Sequence, residues 1–314
     1  MTADCQLVLY VALAAIWFIW GSTYLAILWA IETMPGFLMA GARFLLAGAV
    51  LYAWARWKGA SAPTRTEWRT AFVIGGLMFL GGNGGVVWAE QFVPSGLTAL
   101  VIATEPLWVV VLDWARPRGT RPTFGEGLGL VLGFAGATLL IGQGENGATR
   151  VPLAAAAVLL VATLSWATGS IYSRTAPLPN SPFLRAGMNL IGGGIGLLVL
   201  ATVTGEWGAL DVMAISARSA WAFLYLVVAG SIIAFTAYLW TLRTTSLATA
   251  STYAYANPVV AVLLGWALAR EQVTTRVLVA MAIIIVSVVI ITAARTTAVR
   301  AVGSALRRTV GGRQ

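Results

Sequence analysis

"ATEPLWVVVLDWA", Ala103 to Ala115, and "YANPVVAVLLGWA", Tyr255 to Ala267, carry the pattern that decides how this chain folds. Each is an apolar run in which a polar residue is followed directly by proline: Glu105-Pro106 in the first, Asn257-Pro258 in the second. Each reaches a Trp-Ala pair at the same spacing, so the two stretches align at an offset of 152 residues. A carboxylate at the middle of a membrane helix costs roughly 2.5–3.5 kcal/mol on insertion scales. A proline there frees the carbonyl one turn earlier and permits a kink. Two such stretches predict a duplicated architecture with kinked helices near its centre.

Composition sets the solvent. The 314 residues are 59% hydrophobic and only 10% charged, with a mean hydropathy of +0.84. Soluble domains carry about 25% charged residues. Apolar residues must therefore face lipid, and the chain reads as an all-α integral membrane protein. Ten apolar segments are long enough to span a bilayer, at 7–28, 35–56, 70–90, 94–114, 124–142, 152–173, 183–204, 219–241, 247–268 and 274–294. The first is read as a span, not a cleaved signal, because no Lys or Arg precedes it. The connections leave no room for a soluble domain, and a basic tail follows at 295–314.

The net charge of +9 comes from 19 Arg and a single Lys, Lys58. These cations sit in short loops, where they set topology, and do not form the soluble basic face of a nucleic-acid binder. With the N-terminus inside, fourteen fall on the inner side (Arg118 and Arg313 among them) and four on the outer side, Arg150, Arg218, Arg270 and Arg276. Both termini are thus expected in the cytoplasm. The lone Cys5 excludes an intrachain disulfide, and the absence of His excludes a His-based metal site or general base. No phosphate-binding glycine loop or nucleophile motif is present, so no cofactor and no enzymatic activity are expected.

The two halves match beyond the opening stretches. Gly21-Ser22-Thr23-Tyr24 corresponds to Gly169-Ser170-Ile171-Tyr172 at an offset of 148, and Phe37 to Gly41 corresponds to Phe183 to Gly187 at 146. Trp88 matches Trp240 at 152. These predict a first five-helix repeat over 1–147 and a second over 148–294. Five is odd, so the second repeat enters the membrane inverted. Inverted repeats are a common construction of secondary transporters, with the solute site near mid-membrane at their interface.

Ten spans as a tandem duplication, Gly-Ser-x-Tyr in the first span of each half and a proline midway along the fourth resemble the drug/metabolite transporter superfamily, EamA-type. That resemblance covers essentially the whole chain. It implies helices arranged as a basket around a central cavity, and export of amino acids, notably aromatic ones, across the bacterial inner membrane.

Several residues are candidates for such a site, expected from spans 1, 3, 4, 6, 8 and 9. Glu105 is either a transport carboxylate or a protonated, hydrogen-bonded structural one. Pro106 and Pro258 are candidate hinges, and Asn257 is the polar partner of Glu105. Arg43, inside span 2, either snorkels or pairs with Glu32, Glu90 or Glu105, or holds a substrate carboxylate. Its repeat counterpart is the neutral Asn189. Asn83 lies in "GGNGG", where glycines permit close helix approach or local unwinding. Of fourteen Trp, Trp57, Trp68, Trp114, Trp207, Trp221 and Trp266 sit near span ends and read as an interfacial belt. Trp17, Trp20, Trp88, Trp108 and Trp166, with Tyr24, Tyr238 and Tyr253, are candidate walls for an apolar side chain or an ammonium. Asp113 and Glu126 read as interfacial, and "GGGIG" at 192–196 as a packing face. The expected partners are a small-molecule substrate and the lipid bilayer, with the chain a monomer or weak oligomer. Coupling stays open between a proton carried by Glu105 and none. A channel is the competing class, although no filter motif is present.

Overall fold

The computed structural model describes residues 3–116, 121–141, 151–244 and 253–311. Arg118, Arg150 and Arg313 lie outside the described residues, as do the end of the fifth expected span and the start of the ninth. Among the described residues the regular structure is helical. In chain order it comprises α1 (Ala3–Ala30), α2 (Gly36–Trp57), α3 (Arg65–Ala89), α4 (Ser95–Ala115) and α5 (Phe124–Leu140). It continues with α6 (Leu153–Tyr172), α7 (Pro182–Val203), α8 (Ala217–Tyr225, Leu226–Ile233 and Ala234–Thr244), α9 (Tyr253–Ala269) and α10 (Thr275–Gly311). Eight of these are long and apolar enough to cross a membrane; α5 and α9, at 17 residues each, are the shorter two. Seventeen residues rise about 26 Å, at the lower limit for a bilayer core.

Local chemistry explains the helix starts. Pro35, Pro94 and Pro152 precede α2, α4 and α6, where a fixed φ and a missing N–H carry no penalty. Thr64 with Glu67 opens α3, and Thr123 with Glu126 opens α5, each as a reciprocal capping box. Asp113 pairs with Arg116 in the last turn of α4.

The packing exchanges partners between the halves. α2 lies along α7, and α5 along α10. α1 packs on α8 and α9, while α6 packs on α3 and α4. Glycines set the closest approach: a Cβ on Gly187 of α7 would lie 2.9 Å from the Gly48 carbonyl and 2.7 Å from the Tyr52 nitrogen of α2. "GGGIG" is a packing face, with Gly192 against Phe72, Gly193 against Phe79 and Gly194 against Leu45. Large apolar residues such as Phe18, Val50, Phe72 and Leu263 point outward, as lipid demands. Trp57, Trp114, Trp207, Trp221 and Trp266 are exposed, while Trp68 packs on Tyr52 with ring centroids 5.7 Å apart.

Two irregularities repeat along the chain. α3 widens into π-helix over Gly76–Asn83, and α8 does so over Leu226–Ile233, 150 residues later, which lies among the offsets of the matched sequence stretches. A third has no counterpart. α4 breaks at Ala103–Thr104 and restarts at Glu105, with Pro106 in its first turn. α9 instead runs as one α-helix through Pro258. The expected paired kink is therefore a break on one side only.

The end of the bundle that carries the α1–α2 connection is fastened across the halves. The Phe37 and Leu38 amides at the start of α2 donate to Glu206 at 3.2 and 2.8 Å. The Ser95 and Gly96 amides at the start of α4 donate to Glu271 at 2.7 and 3.0 Å, and the Ser95 hydroxyl adds a bond at 2.7 Å. Arg218 pairs with Glu32, and the Ser219 hydroxyl donates to the Trp29 carbonyl at 2.7 Å.

Candidate functional site

A cavity of about 1050 Å³, its open mouth included, lies where the two halves meet. The six expected helices contribute to it, and two more do: α2 supplies Arg43 and Phe44, and α7 supplies Leu190. The π segments bring Phe79, Gly82 and Asn83 to one wall and Gly230 and Ser231 to another. Widening a helix turn pushes backbone and side chains off the regular register, which is why π segments recur at functional sites. The Ser231 hydroxyl returns to the Leu226 carbonyl at 2.9 Å, five residues back, within the widened turn.

Seven of the described lining residues are aromatic. Trp20 stands 5.1 Å from Tyr238 and 5.1 Å from Tyr253, the latter edge-on at 85°. Tyr238 and Tyr253 meet at 5.7 Å and 90°. Phe79 stands 5.8 Å from Trp166 and 6.5 Å from Phe235, joining this cluster to the opposite side. Trp20 also ties the halves together: its Nε1–H donates to the Gly230 carbonyl at 3.1 Å.

The polar groups are few. Glu105 lines the cavity at the first residue of the restarted α4 helix. A helix start carries partial positive charge, so a carboxylate there is favoured where a mid-helix one is not. Asn257, with its amide oriented to suit its neighbours, donates to the Trp17 and Tyr253 carbonyls at 3.2 Å each. Arg43 is 4% exposed; its Nη2 donates to Asn83 Oδ1 at 3.1 Å, and its guanidinium lies 4.1 Å from the centroid of the Phe44 ring. Glu90, buried at the C-terminal cap of α3, has no hydrogen-bond partner on either carboxylate oxygen.

Of the sequence-derived candidates, Trp20, Tyr24, Arg43, Asn83, Glu105, Trp166, Tyr253, Asn257 and Pro258 come together in the lining. The others stand elsewhere. Trp17 meets the site through its backbone carbonyl, and Tyr238 backs Trp20 and Tyr253 as a second layer. Trp88 packs on Phe92 at 5.0 Å, and Trp108 on Phe134 of α5 at 5.3 Å. A Trp spaced like a lining residue serves equally as helix–helix packing, and that is the use made of Trp108. Pro106 sits behind Glu105 and shapes the break in α4. Arg185 donates to the Pro179 carbonyl at 3.0 Å, near the helix end. Phe44, Phe79, Phe235 and Ser231 join the lining without a sequence signal, because apolar positions along a span look alike whichever way they face.

Fold and cavity together define a polytopic helical membrane protein with a solute-sized, aromatic-walled chamber between its halves. The chain belongs to the EamA-like transporter family, within the drug/metabolite transporter superfamily: the family matches residues 7–142 and again residues 153–293. It is 37% identical over 286 residues to the inner membrane transporter YedA of Escherichia coli (strain K12), covering 90% of each chain. It is 24% identical over 266 residues to the transporter YoaV of Bacillus subtilis, covering 83% of this chain and 88% of that one. It is 27% identical over 281 residues to the protein PecM of Dickeya dadantii, covering 87% and 88%. A crystal structure superimposes with a TM-score of 0.62 at 19% identity over 93% of this chain and 98% of its own, which establishes likeness of fold. The chain is thus a membrane transporter.

Proposed function

We propose that this protein is a secondary transporter that exports small metabolites, amino acids foremost, across the bacterial inner membrane by alternating access. Its frame is ten spans in two inverted repeats, with both termini in the cytoplasm. The exchange of helix partners between the halves and the π segments one repeat apart support that frame. The observation that carries the reading is the cavity itself. It is built by both halves, walled by aromatic rings, and holds a carboxylate at a helix start. Such a site suits a solute with an apolar body and a polar head, and Glu105 is placed to meet an ammonium group. The proposed driving force is a solute or ion gradient.

Purified protein in liposomes tests this with a panel of amino acids, with and without a pH gradient. Saturable uptake that is accelerated by the same solute inside the vesicles is the expected outcome. Ohmic current without saturation would make the protein a channel, and inertness toward every amino acid would remove them as substrates.

A further inference from the structure

Arg43 lies about 10 Å into α2 from its Gly36 end, where a cation has little reason to be kept. It is 4% exposed and faces the cavity. A guanidinium carries five N–H donors in a rigid fork. Asn83 takes one of them through Nη2, and Nε has no acceptor. Two of the acids that could complete the fork do not. Glu32 is engaged by Arg218, and both oxygens of the buried Glu90 lack any hydrogen-bond donor. Leaving a buried ionic donor unsatisfied costs free energy. The repeat does not impose that cost, because the counterpart of Arg43 is the neutral Asn189.

We infer that Arg43, steered by Asn83, is the carboxylate-binding subsite of the cavity, so that the transported solutes are monocarboxylates with an apolar or aromatic body. The inference rests on the reading of the cavity as the transport site. A planar carboxylate matches the guanidinium fork and accepts two parallel bonds from it. A phosphate dianion fits less well: Arg43 is the one cation among the described lining residues, and Glu105 shares the chamber. Phe44, Phe79 and Trp166 flank the head-group position and receive the apolar body.

The test uses the full-length protein and four probes: 3-phenylpropanoate, L-phenylalanine, L-phenylalaninamide and phenethylamine. Thermal stability reports binding, since a ligand of the folded state raises Tm by mass action. Competition for uptake in liposomes reports access to the transport site. Wild-type protein is expected to bind the two carboxylates at least tenfold more tightly than the amide and the amine. Arg43→Gln is expected to erase that ranking, and Arg43→Lys to keep part of it. The wild-type ranking needs no variant, so a misfolded Arg43→Gln protein leaves the test intact. Equal affinity for acid and amide in the wild type, or an unchanged ranking in a folded Arg43→Gln protein, overturns the inference. Saturable counterflow of a solute lacking a carboxylate would overturn it while leaving the transport reading standing. No binding or uptake of any probe or panel amino acid would remove both.

Discussion

Glu105 opens the second segment of α4 and faces the cavity. Asn257, its repeat partner, is spent on backbone carbonyls of α1 and α9. The pair thus separates into one residue that holds helices and one whose carboxylate lines the chamber. Glu105→Gln keeps the shape and removes the charge. It is expected to lower transport about tenfold, near 1.4 kcal/mol. Uptake rates with and without a pH gradient check this; wild-type behaviour would exclude any role of the charge. That Glu105 and Pro106 mark an irregular point of the span was legible, because a carboxylate and a helix breaker are costly in a continuous membrane helix. That the irregularity is a helix restart at Glu105 was not. The role of Arg43 was only half legible: its depth was plain, but its choice of Asn83 over three candidate acids depends on which faces of α2 and α3 meet.

At the scale of elements, the break in α4 and the continuous α9 show proline acting through context. Pro106 begins a helix and needs no N–H, whereas Pro258 sits mid-helix and gives up one bond. The starts of α2 and α4 depend on acids from the other half, Glu206 and Glu271. Hydrogen bonds to a charged group contribute about 1.5–3 kcal/mol each at most. Glu271→Ala, which strips three of them from the start of α4, is expected to destabilise the fold by about 2–4 kcal/mol, read as a lower Tm in detergent. Unchanged stability would mean that water or another donor set replaces the clasp. These caps could not be read from the sequence, because each acid lies about 170 residues from the amides it serves. The π segments were equally hidden. "GGLMFLGGN" hints at irregularity through its glycines, but "LVVAGSII" does not. Widening follows from packing around the cavity rather than from local propensity.

Across the whole molecule, hydropathy gave the membrane, and repeat offsets gave an expected division into halves. The family matches residues 7–142 and 153–293. The entry of α2 and α7 into the cavity was not legible, since nothing in an apolar span marks which face turns inward. The structure is fastened across the halves at the α1–α2 end, where Arg218 holds Glu32 and the Ser216 amide donates to the Thr33 hydroxyl at 3.1 Å. Alternating access requires this end to open and close in each cycle. The most direct measurement is uptake by protein carrying Thr33→Cys and Ser216→Cys in a Cys5→Ser background, assayed before oxidation, after oxidation and after reduction. The account expects oxidation to abolish saturable uptake and reduction to restore it. Full uptake by protein shown to be cross-linked at these positions would contradict it.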